Sequence, residues 1–530
     1  MGADTGLLDV VVVGAGFSGL YALDRLRAHG FACHAYEAAG GVGGTWYWNR
    51  YPGARCDVAS LDYCYLHDRD LYRSWAWTER FASQPEILRY AEHFAQSRGL
   101  YPHITFGTAI TAAAFDDGLW RLTTDRGDTV VTRFLVTAVG CMSAAHTPPL
   151  PGLDHFEGRV LHTGRWPHGE VDLTGRVGVV GVGSSGIQLI PEVARSASEL
   201  TVFQRTANFS VPARNRPLTQ ADRDAAVAGY AQRVAEARTT RFGHAVTGTG
   251  QAILDTPPTE RAAALDQRWA HGGTHIVATF TDTGRDLEAN AVLADYFRDR
   301  VRETVQDPET ARALTPTGYP IGTKRLCVDT GYYETFNLPH VRLVDLREDP
   351  IAEITVDGVR TARGHHRLDT LVLATGFDAF TGPLLRMGIT GRGGHALAEE
   401  WRDGPRSYLG LAVAGFPNLF TITGPGSTLV LSNVMRALEH HVDWVLEALI
   451  HLRDNGITEF EAEAAAQRDW VGQVAELAGR TLYPHTDSYY LGANIDGKPR
   501  VFAPYAGGLD AYRRACEEIA REGYRGFRTA

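Results

Sequence analysis

Short runs of consecutive apolar residues, each followed by a glycine-rich turn, predict buried parallel strands feeding helices. Asp9–Val13 is such a run. It is followed by Gly14-Ala15-Gly16-Phe17-Ser18-Gly19, by a helical stretch Leu20–Ala28 that Gly30 can end, and by a strand Phe31–Tyr36 with Glu37 at its tip. The same order returns at Arg176–Val180, then Gly181-Val182-Gly183-Ser184-Ser185-Gly186, a helix to about Ala197 and a strand Glu199–Phe203. Between the two units, Phe115–Arg121 and Val130–Val139 predict strands, and Thr147–Gly152 reads as a linker. From about 217 to 315 the pattern becomes Ala-rich and charged with helical period, as in Gln220–Arg238 and Ala289–Val305, which predicts a helical insertion. Strand signals resume at Val341. Asp369–Gly376 and Phe416–Thr423 predict buried strands, and Leu438–Leu452 an amphipathic helix. This grammar is that of an α/β protein with two Rossmann-like units.

Composition narrows the partners. Over 530 residues, 52 Lys and Arg against 62 Asp and Glu give a net charge of −10, which argues against a nucleic-acid footprint. The apolar run Leu7–Val13 is interrupted by Asp9 and ends at Gly14, far short of the roughly 18 residues a membrane span needs. No basic leader-like segment opens the chain. Six scattered cysteines without a C-x-x-C pair predict neither a disulfide framework nor a metal site, and suggest a reducing cytoplasm.

Each glycine turn follows a strand and opens a helix, the context in which GxGxxG cradles a pyrophosphate on helix N–H groups. Gly14, Gly16, Ser18 and Gly19 form the first cradle; Gly181, Gly183, Ser184, Ser185 and Gly186 form the second. Glu37 stands where an acid accepts hydrogen bonds from ribose hydroxyls, as for FAD or NAD. The second unit has Gln204-Arg205-Thr206 instead, and Arg205 suits a 2′-phosphate, which selects NADP. Two sites of different preference predict a flavoprotein fed by NADPH.

Phe156-Glu157-Gly158-Arg159-Val160-Leu161-His162-Thr163-Gly164-Arg165-Trp166-Pro167 fits FxGxxxHxxxW[P/D] and resembles the fingerprint of type I Baeyer–Villiger monooxygenases. Gly43–Asp57 matches GGxWxxxxYPGxxxD, and Asp369–Gly376 resembles a third family segment, so the resemblance runs from Val10 to about Gly508. It implies two discontinuous domains: FAD-binding at 1–148 and 377–530, NADPH-binding at 149–215 and 321–376, with the helical insertion at 216–320. It also implies O2- and NADPH-dependent insertion of oxygen beside a ketone carbonyl, through a C4a-peroxyflavin, to give an ester or lactone. The alternative of oxidising nitrogen or sulfur keeps the fold; Trp166-Pro167 and Arg325 speak against it.

By the same resemblance Arg325 is the catalytic cation, Asp57 the carboxylate that orients it, and Lys324 joins Arg205 at the 2′-phosphate. Gly44, Thr45, Trp46, Tyr63 and Ile110 fall beside FAD, and Thr206 beside NADPH. Thr428, Leu429, Val430 and Leu431 are expected to line the substrate pocket. Tyr489 replaces the family's usual Trp, which moves a hydrogen-bond donor near the nicotinamide ribose. His162 reads as a positional residue at the domain seam. The expected state is a monomer or weak homo-oligomer.

Overall fold

The computed structural model describes residues 7–530, so residues 1–6 of the expected first segment lie outside the described residues. Strand β1 (Leu8–Val13) is flanked by parallel neighbours on both edges, β2 (Cys33–Tyr36) and Thr129–Thr137. Val10, Val11 and Val12 are fully buried, as a strand covered on both faces requires. Helix α1 (Phe17–Ala28) joins β1 to β2. The sheet runs Ile389–Thr390, Ile110–Asp116, Leu119–Thr124, Thr129–Thr137, β1, β2, Ile104–Thr105, and Leu419–Thr421 also pairs with Thr129–Thr137.

A second, five-stranded parallel sheet is built on β3 (Arg176–Val180), helix α2 (Ser184–Ala194) and β4 (Glu199–Gln204). Its order is Val341–Asp345, β4, β3, Thr370–Leu373, Arg159–His162. Each sheet thus draws strands from two separated stretches of chain. Helix α3 (Val434–Asp454) lies on α1, where Asp443 accepts hydrogen bonds from Tyr21 Oη (2.9 Å) and Arg25 Nε (3.2 Å).

The helical insertion leaves and re-enters at one place. Ser210–Pro212 and Cys327–Asp329 pair in parallel, and every regular element between them among the described residues is helical. Phe209, Leu265, Ile276, Leu293 and Phe297 give this segment a core of its own.

Two expectations need correction. Phe115–Arg121 is not one strand but the tip of a hairpin between Ile110–Asp116 and Leu119–Thr124. Asp117 (φ +49°) and Gly118 (φ +74°) both take the left-handed turn conformation that Asp-Gly favours in two-residue hairpin loops. Gln220–Arg238 is two helices, Gln220–Ala228 and Tyr230–Thr239, divided at Gly229. No helix among the described residues is long and apolar enough to cross a membrane, and none of their His, Cys, Asp and Glu side chains form a metal-binding group. The six cysteines are buried and free.

Candidate active site

The first glycine turn lays backbone against backbone. Gly14 has φ +103°, and a Cβ there would lie 2.5 Å from the Ala138 carbonyl oxygen; Gly44 (φ +55°) crosses Gly16, where a Cβ would come within 2.8 Å of the Gly16 Cα. Side chains are excluded, so the N-terminus of α1, which no side chain caps, opens on a cavity of about 660 Å³. Free N–H groups and the positive end of the helix dipole make that end an anion site. Glu37 is almost fully buried at the same end. Its Oε2 accepts the Ala15 N–H (2.6 Å) and its Oε1 the Ala39 N–H (2.7 Å). Burial raises its pKa while these two N–H bonds oppose the shift. Each oxygen keeps lone-pair capacity for a hydroxyl donor.

Gly14, Gly16, Ser18, Glu37, Gly44, Thr45, Trp46, Tyr63 and Ile110 all line this cavity. Trp46 Nε1–H donates to Tyr63 Oη (3.0 Å), and the Tyr63 ring meets Phe17 edge-on at 5.9 Å, which fixes the aromatic wall. Gly19 does not face the cavity. It sits on the Gly14 carbonyl and lets α1 close on β1.

The second turn repeats the arrangement, with α2 likewise uncapped by any side chain. Ser184 and Ser185 line the same cavity; Gly181 and Gly183 do not, and Gly186 sits on the Gly181 carbonyl as Gly19 sits on Gly14. Arg205 is exposed beyond β4 and Thr206 is half-buried; neither lines the cavity. Lys324 lies with Nζ 4.8 Å from the Tyr319 ring centroid. Burial pushes its pKa down, Arg205 adds to that, and Asp487 opposes it. Among the described residues neither Lys324 nor Arg205 is in an ion pair, and each feels the other's charge.

At the inner end of the cavity Arg325 meets Asp57. Arg325 Nε donates to Asp57 Oδ2 (2.8 Å), Nη2 lies 2.7 Å from the same oxygen, and Nη1 donates to the Val430 carbonyl (3.0 Å). Burial alone would lower the Arg325 pKa, but the Asp57 charge overrides it and holds the guanidinium above its ordinary value. A second cavity of about 140 Å³ shares Val58, Arg325, Val430 and Ser432 with the first, so Arg325 stands at their junction. Tyr489 lines the large cavity, with its ring centroid 4.5 Å from that of Tyr490 and its pKa raised by burial.

Of the stretch expected to line a substrate pocket, only Val430 and Leu431 do so. Thr428 and Leu429 turn inward. Leu429, at φ +46° at the start of a 3-10 turn, is buried with Cys141, Phe380 and Tyr490. His162 is held at both nitrogens: Nδ1 accepts the Gly164 N–H (3.0 Å), so Nε2 carries the proton toward the His146 carbonyl (3.1 Å). Burial first, with neighbouring cationic groups, lowers its pKa. One lining interaction joins the motif residue Tyr51 to a residue outside any motif, Gln188. Tyr51 Oη donates to Gln188 Oε1 (2.9 Å), and the Gln188 Nε2 donates to the Arg55 carbonyl (3.0 Å). Gln188 lies one helical turn past Ser184, and that spacing is its only signal.

The flavin-binding monooxygenase-like family model matches residues 8–215, which agrees with the class of protein that two dinucleotide cradles around one cavity define. The chain is 40% identical to a phenazine N-monooxygenase of Lysobacter antibioticus, over 98% of this chain and 96% of that protein. It is 38% identical to a Baeyer–Villiger monooxygenase of Pseudooceanicola batsensis, over 99% and 96% respectively. A solved steroid monooxygenase bound to NADP superposes with a TM-score of 0.95 at 47% identity, with 99% of each chain covered. The chain belongs to the Baeyer–Villiger monooxygenases.

Proposed function

We propose that this chain is an NADPH- and O2-dependent flavin monooxygenase that inserts one oxygen atom beside a ketone carbonyl, giving an ester or lactone. The observation that carries the reading is the Arg325–Asp57 pair at the junction of a dinucleotide-sized cavity and a smaller one. Gly14, Gly16, Ser18 and Glu37, with Thr45, Trp46, Tyr63 and Ile110, would hold FAD. The Gly181–Gly186 turn, with Arg205, Lys324, Thr206 and Tyr489, would hold NADPH, the two cations suiting its 2′-phosphate. In this reading the FAD-binding domain is 1–148 with 377–530, the NADPH-binding domain 149–215 with 321–376, and the helical insertion 216–320. The setting that suits free, buried cysteines is the cytoplasm, and the working state is a monomer or weak homo-oligomer.

When bound, NADPH supplies a hydride and the reduced flavin supplies activated oxygen. The chain's own contribution is electrostatic. The ketone oxygen gains negative charge during attack, and a fixed guanidinium in a cavity poor in water stabilises that charge without reorganising. Asp57 and the Val430 carbonyl together orient Arg325 and leave N–H groups free for substrate. A lysine could not reproduce that planar fork.

The test is purified holoenzyme with NADPH, labelled O2 and a panel of cyclic and linear ketones, read by mass spectrometry. An ester or lactone carrying one labelled oxygen is the expected result; NADPH consumption yielding only peroxide overturns the reading. The phenazine N-monooxygenase relative supports a second reading, oxidation of a ring nitrogen. N-oxide formation from an aromatic heterocycle, with no ester from any ketone, would replace the first.

A further inference from the structure

Two histidines meet in the wall of the smaller cavity. His244 Nε2 and His275 Nε2 are 3.0 Å apart, with ring planes 17° apart and ring centroids 5.0 Å apart. Faces in contact would stand about 3.5–4 Å apart. The rings therefore meet edge to edge through one N–H···N hydrogen bond. One ring donates and the other accepts, so the two carry opposite tautomers. Burial pushes His275 down to about 4 and lowers His244 as well, and both rings are neutral near pH 7. His244 follows the helix Tyr230–Thr239 on a loop pinned by the Asn433 N–H to the Phe242 carbonyl (2.9 Å). His275 comes from the 3-10 turn Thr274–Ala278. Neither residue falls in a sequence motif, and the mechanism above uses neither.

Around them Val58, Val246, Val277, Leu326, Val430 and Leu431 alternate with Lys324, Asn433, Tyr483 and Tyr490. Against that background, hydrogen-bonding capacity is left over. Ser432 Oγ is buried and has no hydrogen-bond partner, and buried His244 Nδ1 feels only the Phe242 carbonyl, without a full hydrogen bond to it. A purely apolar ketone would leave both unpaired, whereas a ligand with a second oxygen would meet them. Exchange of tautomers lets the pair present either a donor or an acceptor to that oxygen. The reacting carbonyl belongs to Arg325, which lines the same cavity.

We propose that the His244–His275 pair is a specificity element selecting ketones that carry a second hydrogen-bonding oxygen, a hydroxyl or a further carbonyl, remote from the carbonyl being oxidised. The inference rests on the ketone-oxidising reading. A site built to hydrogen-bond a group rejects the analogue that lacks it far more strongly than an apolar pocket rejects an added hydroxyl.

The experiment compares cyclohexanone with 4-hydroxycyclohexanone, substrates that share one ring, on the holoenzyme and on H244F/H275F. The wild type is expected to favour the hydroxy ketone about tenfold or more in kcat/KM, and the double variant to bring that ratio to one or below. A wild-type ratio near one overturns the proposal and leaves the assigned reaction standing. A preference that survives in the double variant overturns it too, because the discrimination then lies elsewhere. No oxygen gain from any ketone overturns the reaction reading and this inference with it. The wild-type ratio needs no variant, and flavin absorbance reports whether the double variant has formed holoenzyme.

Discussion

At the scale of single residues, Arg325 is set by one carboxylate and one backbone carbonyl. Truncating it removes charge at the point where charge develops and leaves both glycine cradles untouched. Arg325→Ala should therefore retain FAD and its bleaching by NADPH, while ester formation falls by roughly 100- to 1000-fold. Normal ester yield from a folded, flavin-loaded variant would show that the cation lies elsewhere. Asp57 and Arg325 are both visible in the sequence, each inside a motif. The Val430 carbonyl that completes the clamp is not, because every residue carries a carbonyl and only the fold decides which one arrives. The Tyr51–Gln188 bond is half visible: Tyr51 stands in the YPG motif, but Gln188 lies 137 residues away and a glutamine alone marks nothing. Leu429 shows the reverse failure. An apolar residue beside a pocket motif looks like pocket lining until the turn angle is known.

At the scale of elements, the two strand–turn–helix units were legible because buried strand, glycine turn and helix each leave a signal, and the three agree. The hairpin is announced by Asp117-Gly118, but apolar Phe115 and Leu119-Trp120 stand so close on either side of the turn that the two strands read as one. Helix α3 carries a less visible property. His440 and His441 are consecutive and buried, and His441 Nδ1 accepts the Thr423 N–H (3.1 Å) beside the large cavity. Burial first, then Arg513, pushes His441 down to about 3, and His440 is lowered in the same way. In the unfolded chain both titrate near 6.5. Below that pH the unfolded state takes up protons that the folded state refuses, so stability is lost as pH falls from 6.5 toward 3. His441 contributes about 1.4 kcal/mol per pH unit in that window. His441→Asn keeps an acceptor for the Thr423 N–H but cannot titrate. Its unfolding free energy should fall less steeply than wild type between about pH 6 and 4. Parallel slopes would assign the acid sensitivity to other groups.

At the scale of the whole molecule, each parallel sheet is assembled from two stretches of chain, and the cavity collects side chains from both. That interleaving brings Arg205, just beyond β4, into electrostatic contact with Lys324, on the far side of the helical insertion. If the two share a 2′-phosphate, Arg205→Ala with Lys324→Ala should raise the KM for NADPH roughly ten- to hundredfold and leave that for NADH nearly unchanged. Equal losses with both cofactors would remove the phosphate from this site. The alternation of strands and helices announced such an architecture, but only the folded chain shows where the inserted segment begins and ends. Ser210–Pro212 and Cys327–Asp329 lie side by side, so the polypeptide departs and returns through a doorway one strand wide. His244 and His275 lie beyond that doorway, and so do Lys324 and Arg325 just before its returning strand, whereas Asp57 and both glycine turns do not. Adjacent endpoints make the segment a natural cassette for recombination. A lineage, or a chimera joined at these two strands, exchanges the surface that chooses the molecule together with the Arg325 cation, and must present that cation again to the Asp57 it inherits.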